Sequence, residues 1–154
     1  MDETTQKNLR RLSTSVIFYI IFALVGAGVA IRENRPSDPG GWSTGLPALQ
    51  DFLYGNGTAM SPPLYMIIAA AVFTLLAHRR DRWGKVGVGG LTICGLLFSI
   101  GALVEPILFE IFNPKQFDLF KAVIEAGLII LPLVIMVFGF REWSRRRRNP
   151  GHNP

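Results

Sequence analysis

Four apolar stretches dominate this chain: Leu12–Ile31, Pro63–Ala77, Val86–Val104 and Phe117–Phe140. They take up about half of the 154 residues. A helix needs roughly 20 apolar residues to cross hydrocarbon ~30 Å thick. The longest connection, Arg32–Ser61, is about 30 residues rich in Gly and Pro, which leaves no room for a water-soluble domain. The pattern predicts an all-α integral membrane protein: four transmembrane helices in a bundle, spanning about 12–31, 62–78, 86–105 and 117–140. Residues 1–11 and 146–154 read as polar tails flanking a membrane domain over 12–145.

Basic residues alternate between loops. Lys7, Arg10 and Arg11 precede the first stretch, and Arg79, Arg80, Arg82 and Lys85 separate the second from the third. Arg141 and Arg145–Arg148 follow the fourth. Those twelve leave only Arg32, Arg35, Lys115 and Lys121 in the other two loops. Lys and Arg of short loops stay on the cytoplasmic side. The expectation is a plasma (inner) membrane protein with both termini in the cytoplasm. Arg145, Arg146, Arg147 and Arg148 then form a juxtamembrane patch for anionic lipid, worth about 1 kcal/mol per basic residue near the surface. The net charge of +5 comes from these loops and implies lipid contact rather than nucleic-acid binding. The first stretch is too long for an ordinary signal-peptide core of about 7–15 residues and reads as an uncleaved span.

Local signals refine the elements. The first helix is expected from about Leu9, with Gly26 and Ala30 as a small-xxx-small pair for helix approach. Pro47 and Gly55 suit the start and stop of a two-turn helix lying on the outer surface or over the bundle mouth. Asn56-Gly57-Thr58 matches a glycosylation sequon, a tripeptide common by chance. Trp83 and Trp143 suit the inner interface, as does His78. Gly87, Gly90, Cys94, Gly101 and Glu105 share one face of the third helix at 100° per residue. A small-residue stripe of this kind is a helix-packing seam. Pro106 ends that helix, and Ile107–Phe112, carrying Glu110, reads as a second short interfacial segment. Asn113 as cap and Pro114 as first residue would start the fourth helix. Pro132 inside it predicts a kink.

The chemistry lies in carboxylates placed near hydrocarbon. A charge at mid-helix costs roughly 2.5–3.5 kcal/mol on insertion scales, so such groups face the protein interior with a partner or a proton. Glu125 and Glu105 fall at similar depth near the outer end, and Lys121 shares the face of Glu125 one turn earlier. One reading is a structural Lys121–Glu125 ion pair. The other is a polar pocket roofed by Pro47–Tyr54, in which Glu125, Glu105 and Lys121 form a proton or cation site. Glu110 and Asp118 would add to its rim.

Motifs for catalysis are missing from the sequence: there is no HExxH, no paired His, no GxSxG and no Walker loop. Cys94 is the only cysteine, so no intramolecular disulfide and no Cys-based metal site is expected. The chain is expected to be non-enzymatic and to need no cofactor or metal. Two functions compete. One is a membrane interaction or accessory protein, packing as a homo-oligomer or within a larger membrane complex. The other is an oligomeric small transporter or channel subunit using its buried carboxylates.

Overall fold

A computed structural model describes residues 3–107, 113 and 117–148. Its described residues form five α-helices and no strands: α1 (Glu3–Arg32), α2 (Ala48–Tyr54), α3 (Leu64–Ala77), α4 (Arg82–Val104) and α5 (Leu119–Arg148). The expected segment over Ile107–Phe112, with Glu110, and the Pro114 start lie largely outside the described residues.

α1 begins about six residues earlier than expected. Its first turns contain no Gly or Pro, and Leu9 and Leu12 are each 1% exposed, so the buried face extends below the apolar stretch. Its other end closes with Asn34 in the left-handed region (φ 50°). Arg35 N–H donates to the Ala30 carbonyl (2.8 Å) and Asn34 N–H to that of Ile31 (3.1 Å), which is the Schellman pattern. Asn34 also joins two helices. Its side-chain oxygen accepts from Ala48 N–H (3.1 Å), capping α2, where Pro47 offers no side-chain acceptor.

α4 starts at Arg82 because the Asp81 carboxylate accepts from Trp83 N–H (3.0 Å). α5 starts at Leu119. The cap is Asp118, whose carboxylate accepts from Phe120 N–H (2.9 Å) and Lys121 N–H (3.3 Å). A carboxylate at a helix start satisfies orphan donors and complements the helix dipole. α5 continues through Pro132 to Arg148.

α1, α3, α4 and α5 pack side by side, alternating in direction. Small residues set the approaches. Gly95 of α4 lies against the α5 backbone at Pro132 and Met136, and Gly139 of α5 against Thr92. Gly87 lies against the α3 backbone at Leu76 and Ala77, Gly90 against the Phe73 ring, and Gly127 against Phe22 of α1. Across the middle, Tyr19 stacks on Phe98 with ring centroids 4.6 Å apart.

The outside is as apolar as the inside. Phe18, Ile21, Leu75, Ile93, Ile130 and Phe140 are all at least half exposed, and only 33% of the most apolar window of α1 or of α5 is buried. Patches of that extent mark a surface not meant for water. α1, α4 and α5 are long and apolar enough to cross a membrane. α3, with 14 residues, is apolar but shorter, about 21 Å at 1.5 Å per residue.

Candidate functional site: a carboxylate cavity at the loop end

The end of the molecule holding the long loop contains a cavity of about 130 Å³. Its walls come from α1 (Tyr19), α4 (Phe98, Gly101) and α5 (Glu125, Leu128), and its roof from Ser37, Pro39 and the segment Asn56–Pro63. Glu105 and Glu125 both line it. The roof is therefore not α2, as expected, but the turns on either side of it.

How the loop reaches the cavity follows from a few contacts. Asp51 is fully buried and gathers the loop: it accepts from Ser37 N–H (3.1 Å), Thr44 Oγ1–H (2.9 Å) and Asn56 N–H (2.8 Å). Its own carbonyl accepts from Gly55 and Gly57 N–H. The chain then presses into the helices. The Met60 backbone lies directly against Gly26 of α1, where any Cβ would collide with it. Gly26 thus admits a loop, not a neighbouring helix.

Glu105 follows the last residue of α4 in extended conformation and is 7% exposed. One of its oxygens accepts from the Ser37 hydroxyl, the other from Asp38 N–H (3.3 Å). It tethers the roof and has both oxygens engaged. Glu125, one turn inside α5, is 3% exposed, so it faces the interior and not the surrounding medium. Its Oε1 is buried without a hydrogen-bond partner.

The expected Lys121–Glu125 pair is not formed. Lys121 Nζ pairs with Glu33, just beyond the end of α1, at 2.7 Å. A long side chain near a helix end turns its ammonium outward, while Glu125 lies a turn deeper. Gly101 meets nothing within 4 Å of where a Cβ would stand and opens into the cavity, whereas Cys94 is buried in the core.

At the opposite end a part-buried ion pair is found that sequence reasoning passed over. Glu142, 1% exposed, binds Arg146 Nε (2.9 Å), and Arg146 also donates to the Ala77 carbonyl at the end of α3 (3.0 Å). The i,i+4 spacing of Glu142 and Arg146 was the available signal. Arg146 thereby joins α5 to α3. Arg147 stacks over Trp143 (5.1 Å) and Arg148 is exposed.

Among the described residues no group of three His, Cys, Asp or Glu is arranged to hold a metal ion. The fold and site define a helical protein with three membrane-length helices and an acidic cavity at one end. The chain matches no protein-family model, no curated protein and no solved structure.

Proposed function

We propose that this chain is a small multi-pass protein of the plasma (inner) membrane, a four-helix bundle with both termini cytoplasmic. Its role is non-catalytic: it packs in the bilayer as a homo-oligomer or as an accessory subunit of a larger membrane complex. The observation carrying this reading is the apolar surface around α1, α3, α4 and α5, combined with close glycine-mediated packing inside. The short α3 fits a fourth crossing because the buried Thr58–Ser61 turn and the Pro62–Pro63 lead-in precede it, with Thr58 and Met60 each 1% exposed. Non-helical backbone is tolerated at membrane depth where it is buried or lines a cavity. Thr58 and Ser61 satisfy each other's backbone groups, and Pro62 and Pro63 have no N–H to satisfy. The basic loop residues gather at the end holding Glu142, which supports that end as cytoplasmic.

Extraction of a C-terminally tagged chain from its native membrane in mild detergent tests the role. A stoichiometric membrane partner is expected for an accessory subunit. Recovery as a defined homo-oligomer fits the self-packing form, and recovery as a monomer removes both.

A second reading is favoured by Glu125 itself. A buried carboxylate oxygen without a partner, at the wall of a cavity, suits a proton or cation site in an oligomeric carrier or channel. Glu125→Gln in reconstituted vesicles would abolish pH-dependent flux with the fold intact. An accessory protein would show no flux to lose.

A further inference from the structure

The cavity's shape and chemistry constrain its occupant more narrowly than "proton or cation". A bare proton needs no cavity. A metal ion needs several converging oxygens, six to eight for calcium, and here the Glu105 oxygens are already engaged by Ser37 and Asp38. Glu125 Oε1 is the carboxylate oxygen left without a partner, on a wall that combines the apolar Tyr19, Phe98, Met60 and Leu128 with the neutral polar side chains of Asn56, Thr58 and Ser61. A volume of about 130 Å³ is close to that of an apolar protein cavity that takes up benzene. The stacked Tyr19 and Phe98 rings add π-electron density, which attracts cations at short range. Gly101 keeps the volume open, since nothing occupies the space beside it.

We propose that this cavity binds a small organic ammonium ion, with its N–H donating to Glu125 Oε1 and its apolar body seated against Tyr19, Phe98 and Gly101. The charge of the ligand replaces the missing partner of Glu125, and its hydrocarbon part fills space that water would occupy poorly. The inference deepens the carrier reading of the same site but does not depend on transport.

Benzylammonium is the probe, titrated calorimetrically into the purified full-length protein in detergent, with protein-free micelles as baseline. Benzyl alcohol supplies the same ring without the charge, and sodium and calcium chloride supply charge without the ring. Saturable binding of benzylammonium is expected, with benzyl alcohol at least tenfold weaker and no response to either salt. Glu125→Gln should weaken benzylammonium at least tenfold. Gly101→Leu, which keeps the carboxylate but fills the cavity, should also lose binding, and circular dichroism of both variants checks that they fold. Absence of saturable benzylammonium binding, equal binding of benzyl alcohol, or unchanged affinity in both folded variants overturns the proposal. Binding without uptake into vesicles keeps the ammonium site and removes the carrier. Proton flux that depends on Glu125, without ammonium binding, overturns the site and keeps the carrier.

Discussion

Asp51, Glu142 and Glu125 are each 3% exposed or less, yet each is accommodated differently. Asp51 is surrounded by donors from its own loop, Glu142 holds a guanidinium with one oxygen and leaves the other unpartnered, and Glu125 has an unpartnered buried oxygen at a cavity wall with no cation beside it. Their substitutions should separate accordingly. Asp51→Ala strands several buried donors and is expected to cost about 2–4 kcal/mol, since charged hydrogen bonds contribute about 1.5–3 each. Thermal unfolding in detergent would show it, and a loss near zero would mean the loop is not held by this residue. Glu142→Ala leaves the partly buried Arg146 without its counter-charge, and is expected to cost about 2–3 kcal/mol, below the range for a fully buried pair. Lys121→Ala removes a partly exposed pair and should cost about 1 kcal/mol or less. If the two variants destabilise equally, the difference in burial is not what sets their strength. The sequence made Glu125 conspicuous, because a carboxylate in an apolar helix is expensive wherever it points. It gave no sign that Lys121 would turn to Glu33, a residue 88 positions away.

Glycine explains how the helices meet, and position along the helix decides what each one does. Gly95 touches the α5 backbone, while Gly101 faces open space on the same helix. Gly95→Val is expected to push α4 from α5 at a cost of about 1–3 kcal/mol, the usual range for overpacking. Gly101→Ala should be neutral or stabilise by up to about 1 kcal/mol, through helix propensity alone. Comparing the two melting temperatures checks the assignment, and a reversed order would reject it. The stripe Gly87, Gly90, Cys94 and Gly101 was readable from periodicity. Gly95 was not singled out, because periodicity reports which residues share a face and not how close the facing backbone comes. The boundaries of α1 and α5 show the same limit. Apolar windows locate a helix, but its ends follow caps such as Asp118 and Asn34 and the buried Leu9 and Leu12.

For the whole molecule, the proposed orientation is open to direct measurement. In a Cys94→Ser background, Asn56→Cys should react with an impermeant maleimide on intact cells, and Arg148→Cys only after permeabilisation. The reverse pattern would invert the topology, and labelling of both on intact cells would break the even number of crossings. Cys94 is buried, so its replacement by serine serves only to remove background.

Helical class and membrane-length apolar segments were determined by the sequence alone, because hydrophobic patterning is local and needs no knowledge of neighbours. The presence of a costly carboxylate at position 125 was determined in the same way. Only the tertiary structure decided what surrounds it. The cavity is bounded by Ser37, Glu105 and Met60, residues brought together from distant parts of the chain through the Asp51 knot and the notch at Gly26. Contacts of that kind depend on side-chain reach and backbone clearance in three dimensions, and neither leaves a periodic trace in the order of residues.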